Sequence, residues 1–165
     1  MEDNVKTPLT ELGEFGLIDH LMKDVKVKDK STVYGAGDDA AVINNGVYQT
    51  LVSTDMLVEG VHFDITYSPL KHLGYKSVIV NLSDIVAMNG IPKQVTVSLA
   101  ISSRYTVEAL EEIYKGIKLA CSNYGVDLVG GDTTTSQSGL VISVTVIGQA
   151  MADNIVYRSG AREND

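Results

Sequence analysis

The chain has no tryptophan, one cysteine and three prolines in 165 residues. Without tryptophan, aliphatic side chains and tyrosine must fill the interior. A single cysteine, Cys121, rules out an internal disulfide and fits a reducing, cytoplasmic setting. It falls on the apolar stripe of a predicted helix, so it reads as a small core residue. No run of about 18 apolar residues occurs, so no membrane span is expected. Residues 1–10 lack the apolar stretch of a secretory signal. Basic residues are few, 13 Lys and Arg against 21 Asp and Glu, for a net charge of -8. A field of that sign repels the nucleic-acid backbone. It leaves room for a small nucleotide carried by metal ions, which invert the local charge. The hydrophobic fraction of 44% supports a real core and argues against disorder.

Punctuation and periodicity order the chain. Leu12, Phe15, Ile18 and Leu21 are spaced for a short helix, and residues 23–33 read as a solvated connector. Residues 40–44 and 48–54 read as strands joined by an Asn45-Gly46 type I′ turn. Pro69 opens a long apolar helix that Gly90 and Pro92 stop. Residues 95–101 alternate as a strand. Thr106 caps a second long helix, which Gly125 ends. A short strand over 126–129 leads into a polar turn over 133–139, then a strand from Leu140 to Val146, with a possible last strand over 155–157. The order β-β-α-β-α-β-β needs crossovers, so part of the sheet is expected to be parallel.

Four acidic motifs punctuate this scheme: Gly37-Asp38-Asp39, Ser53-Thr54-Asp55, Asn81-Leu82-Ser83-Asp84 and Gly130-Gly131-Asp132. None has a Lys or Arg within two positions. Carboxylates that converge without basic partners repel one another and call for a cation. Hard divalent cations take oxygen ligands, and magnesium brings phosphate oxygens with it. Ser53-Thr54-Asp55 is expected at a strand end, where α/β sheets gather ligands, and Asp132 repeats that theme. Asn81 and Asp84 share one face of an apolar helix, where a carboxylate needs a partner or a metal. The glycines of residues 35–37 let backbone N–H groups approach phosphate, although the segment lacks the Gly-Lys-Ser/Thr ending of a Walker loop. Arg158 offers a charged donor fork suited to phosphate. Each motif read singly is also compatible with an ordinary turn or a solvated loop.

These residues resemble the N-terminal half of the thiamine-monophosphate kinases. The match is carried by Gly37-Asp38-Asp39-Ala40-Ala41, by Ser53 to Phe63 with its Val58-Glu59-Gly60-Val61-His62-Phe63 stretch, by Asn81 to Met88, and by Gly130-Gly131-Asp132-Thr133-Thr134. It runs from about Glu14 to Arg158, departing at Asn89-Gly90. The family lies in the superfamily of aminoimidazole ribonucleotide synthetase and selenophosphate synthetase. The resemblance implies an α+β fold, a mixed sheet with helices on one face, and sheets that pair across a homodimer into a barrel. It implies ATP-dependent phosphorylation of thiamine monophosphate to thiamine diphosphate, with several Mg²⁺ ions and no protein group acting as acid or base. Asp39, Ser53, Thr54, Asp55, Asp84 and Asp132 would then be magnesium ligands. His62 would contact the substrate phosphate, and Gly131, Arg158 and Tyr114 would contact ATP. Residues 1–13 would be a flexible tail, 14–150 the ATP- and magnesium-binding domain, and 151–165 a linker into a further domain, without which the fragment is expected to be inactive. Two alternatives stay open, a hydrogenase-maturation type of ATP-dependent dehydratase and a non-catalytic, dimerising nucleotide-binding module.

Overall fold

A computed structural model describes residues 8–163. It divides at Lys30 into two compact units. The first carries a 3-10 turn at Leu9–Glu11 and helix α1, Gly13–Met22. The expected short helix is therefore present. The tail expected over residues 1–13 falls partly outside the described residues; of its remainder, Leu9–Glu11 forms this turn and Gly13 opens α1.

From Ser31 onward the chain builds one mixed sheet. Its strands are β1 Thr32–Tyr34, β2 Ala41–Asn45, β3 Tyr48–Val58, β4 Ile91–Ile101, β5 Asp127–Thr135 and β6 Leu140–Met151, in the spatial order β1-β2-β3-β6-β4-β5. Two long helices, α2 Leu70–Ala87 and α3 Val107–Tyr124, provide the crossovers. β4 and β5 are parallel neighbours joined through α3. β3 and β4 run the same way, joined through α2, but β6 inserts between them antiparallel to both. The expected partly parallel sheet is thus present, in split form.

Burial follows the pleat. Leu140, Ile142, Val144 and Val146 on β6 face the core with Val95, Val97 and Leu99 of β4. α2 lies on β3, β6 and β4, and α3 packs on α2 and β5, so both helices cover one face. Thr106 caps α3 by accepting from the Ala109 N–H, and Gly125 closes it. Cys121 is buried on α3, and burial raises its thiol pKa.

Four local expectations are corrected. The connector over residues 23–33 gives way to β1, because Thr32–Tyr34 finds an edge on β2. The β2–β3 hairpin pairs Asn45 with Tyr48, so Gly46 and Val47 are its central residues. Gly46 has φ 82, as a type II′ turn requires at its first central position. β3 and β5 run several residues further than expected, so Ser53-Thr54-Asp55 and Gly130-Gly131-Asp132 lie within strands and not beyond their ends. Residues 155–157 are extended but form no strand, and 3-10 turns flank them.

The two long helices cross at glycines. A Cβ on Gly74 would stand 1.9 Å from the Ile113 carbonyl oxygen, and one on Gly116 1.9 Å from that of Lys71. Both obstacles are backbone, so neither can swing aside. Gly116→Ala and Gly74→Ala are each expected to cost about 3 kcal/mol, the upper range for overpacking, read from the urea midpoint. Losses below about 1 kcal/mol in both would show that the helices do not meet here.

Candidate active site

The site begins where β2 stops. β2 pairs with β3 from Asn45 to Ala41, opposite Val52, while β3 continues to Val58 bonded only to β6. The opposite edge of β3 beyond Val52 has no strand partner, and α2 lies over the face of the strand. Asn81 accepts from the Asp55 N–H at 2.9 Å and donates its own amide to the Ser77 carbonyl at 2.9 Å. It is 1% exposed, so its side chain is a fixed strut between helix and strand. One turn on, Asp84 accepts from the Ser53 hydroxyl at 2.6 Å. Ser53 and Asp55 are two apart on β3 and so share its helix-side face.

The electrostatics there are uncomfortable. Burial is the largest influence raising the Asp84 pKa, and the negative charges of Asp55 and Asp39 raise it further. The Ser53 bond and the more distant Arg158 charge pull the other way without reversing the rise. Asp39 is held differently. Its carboxylate accepts from Arg158 Nε at 3.0 Å and also from Nη2. The Arg158 N–H donates to Asp38 at 3.1 Å, and the Tyr157 ring meets Tyr34 with centroids 5.2 Å apart. These contacts close residues 155–161 over Asp39 and Ala87 to leave a recess of ≈ 620 Å³. Sequence distance had suggested carboxylates without basic partners. The fold supplies one to Asp39 from 119 residues away.

The remaining candidates are placed elsewhere. Thr54 is on the opposite face of β3 from Ser53 and Asp55, where its hydroxyl bonds to the Val144 carbonyl and to Thr145. A strand sends alternate side chains apart, so the three side-chain oxygens expected in series are divided between its two faces. Asp132 pairs in register with Ser98, on the face away from the helices, and β5 lies three strands from β3. That separation is about 14 Å at ordinary strand spacing. Gly131 has a structural reason of its own, since a Cβ there would stand 1.7 Å from the Val97 carbonyl oxygen. Tyr114 borders a recess lined only by α3 residues, none of them from the Asp84 group. His62 sits in the turn after β3, where its Nδ1 accepts from the Val58 N–H at 3.0 Å. Among the described residues, no three His, Cys, Asp or Glu side chains converge closely enough to form a metal cage by themselves.

One network had no signal in the sequence. Glu59 accepts from the Tyr105 hydroxyl at 2.8 Å, the Leu140 N–H at 2.8 Å and the Arg104 guanidinium. Its partners lie 45 to 81 residues away, so only the fold assembles it. Partial burial and the Glu59 carboxylate push the Tyr105 hydroxyl up to about 12.

Residues 37–150 match the family of the AIR synthase related protein, N-terminal domain. The chain is 42% identical over 156 residues to the thiamine-monophosphate kinase of Bacillus subtilis (strain 168), covering 93% of this chain and 47% of that protein. It is 39% identical over 157 residues to that of Aquifex aeolicus (strain VF5), covering 95% and 48%. A solved structure of AaThiL complexed with AMPPCP and TMP superposes with TM-score 0.84 at 36% identity, over 96% of this chain and 48% of that one. The chain spans about half the length of the relatives it matches.

The strained carboxylate has a measurable consequence. A carboxyl whose folded pKa lies above its ordinary 3.8 favours folding below that value, and the benefit is lost as pH rises through the raised pKa. Asp84→Asn cannot ionise but can still accept from Ser53. In metal-free buffer the variant is expected to melt higher than the parent at neutral pH, with the gap closing toward pH 4 or so. A variant less stable than the parent at neutral pH would contradict the assigned strain.

Proposed function

The chain belongs to the AIR synthase related proteins as their N-terminal domain, and from that membership we propose that it carries the nucleotide- and metal-binding part of a thiamine-monophosphate kinase. The reaction is transfer of the γ-phosphoryl group of ATP to the phosphate of thiamine monophosphate, giving thiamine diphosphate. The observation that carries this reading is the group of Ser53, Asp55 and Asp84 at the open edge of β3, with Asp84 held above its ordinary pKa by burial and like charge. An all-oxygen set with surplus negative charge fits a hard divalent cation.

Ser53, Asp55 and Asp84 would hold magnesium, joined by Asp39 when Arg158 releases it. Magnesium supplies charge neutralisation between two anionic reactants and the triphosphate. The chain's own contribution is positioning. Asn81 fixes the Asp55 backbone, so the carboxylate is presented from a rigid strand. Arg158 already sits over a carboxylate, and the same planar fork suits a phosphate oxygen. No general base is required, because a phosphate oxygen is ionised near neutral pH.

A homodimer belongs to the proposal. The sheet face away from α2 and α3 carries Val52, Met56, Val141 and Ile147 around Thr54, Thr96 and Thr145, and among the described residues from Ser31 onward no helix packs on it. Asp132 lies on that face, apart from the Asp84 group of its own chain. A second copy seated there, sheet to sheet as a barrel, would bring Asp132 into an interface where a shared nucleotide site could use it.

Sedimentation of the chain is expected to give a dimer. By calorimetry, Asp55→Asn and Asp84→Asn are each expected to weaken Mg-ATP binding about tenfold or more while circular dichroism stays unchanged. Affinity equal to that of the parent in both variants would remove the basis for the metal assignment.

A further inference from the structure

His62 stands on a turn whose shape is set by a residue that does not itself face the recess beside it. The turn is closed by the Val61 and His62 N–H groups on the Val58 carbonyl and by the Gly60 N–H on the Phe63 carbonyl. A further bond runs from the Glu59 N–H to the Leu140 carbonyl at 3.0 Å, and the Leu140 N–H returns to the Glu59 carboxylate at 2.8 Å. Glu59 is thus tied to β6 through both its backbone and its side chain. Tyr105 and Arg104 complete the shell, with Arg104 stacked 5.5 Å from the Tyr105 ring centroid. Gly139 passes so close that a Cβ there would stand 3.0 Å from the Glu59 carboxylate. Burial raises the Glu59 pKa, but the bonds from Tyr105, Arg104 and Leu140 outweigh it and keep the group an acceptor.

The imidazole inherits this geometry. Its Nδ1 accepts from the Val58 N–H, so the ring proton of the neutral form sits on Nε2. His62 also lines a recess of ≈ 280 Å³ together with Phe63, Asp64, Tyr67 and Ser68. Asp64, the one carboxylate in that lining, is occupied by the Thr66 N–H at 2.8 Å and hydroxyl at 2.7 Å.

We propose that Glu59 is a positioning residue: by tying the Val58–Phe63 turn to Tyr105, Arg104 and Leu140, it fixes His62 as the Nε2–H tautomer that donates to the phosphate of the acceptor. The inference rests on the reading of His62 as a contact of that phosphate.

The test uses the whole chain with ¹⁵N-labelled histidine. Long-range ¹⁵N–¹H correlation at alkaline pH is expected to show His62 protonated on Nε2 alone. Glu59→Gln and Tyr105→Phe, checked for folding by circular dichroism, are expected to give a tautomer mixture. Both should weaken thiamine monophosphate binding about tenfold and leave Mg-ATP binding unchanged. A single Nε2–H tautomer and full affinity in both variants would overturn the proposal. So would equal loss of Mg-ATP binding, which marks a merely structural role. His62→Ala separates the two layers. If it binds thiamine monophosphate as the parent does, His62 is not the contact and Glu59 loses its purpose, even where the tautomer shift is seen.

Discussion

The free edge of β3 is the constraint from which the site follows. A strand that outlasts its neighbour leaves backbone donors without partners, and a buried orphan N–H costs on the order of 1–3 kcal/mol. Here β2 ends at Ala41; the Val58 N–H is taken by the His62 ring, and over the face of the strand Asn81 of α2 accepts from the Asp55 N–H. That bridge and the Asp84–Ser53 bond tie α2 to β3, alongside the apolar packing of α2 on β3, β6 and β4. Once Asn81 is in place, Asp84 falls opposite Ser53 by helical spacing alone. The glycine crossing of α2 and α3 works in the same direction, because it lets α3 press α2 onto the strands.

The carboxylates gathered there are a cost to the empty chain. Asp84 is half-buried beside two like charges, and only a hydroxyl and a distant guanidinium offset them. Arg158 reduces the charge by pairing with Asp39. In the proposed function this stored repulsion, with a cationic side chain already beside it, is what a cation and a polyanion arriving together would relieve. The same arrangement would be wasteful in a purely structural turn, where solvated aspartates need no burial.

Alternation along strands divides the acidic motifs more sharply than their spacing suggests. Ser53 and Asp55 go to the helix side, while Thr54 and Asp132 go to the open side. One chain therefore places Asp55 and Asp84 on one face of the sheet and Asp132 on the other. In the proposed function a second copy would bring them together, which is why the dimer and the metal site are parts of one proposal.

Sequence alone determined the order of elements from β2 to β6, the ends of the two long helices and the partly parallel sheet, because apolar periodicity and Pro, Thr and Gly punctuation are local; it missed β1 and offered a last strand at 155–157 that does not form. It also marked Asp84, since a carboxylate on an apolar helix is conspicuous without any fold. Strand length was not legible: β3 and β5 continue through acidic and glycine-rich residues because β6 and β4 offer them hydrogen-bonding edges. Nor were the pairings of Arg158 with Asp39 and of Glu59 with Tyr105, which join residues 119 and 46 positions apart. Which carboxylates meet, and which face of the sheet each one takes, was decided by tertiary structure, because register and long-range contact depend on where neighbouring strands begin and end.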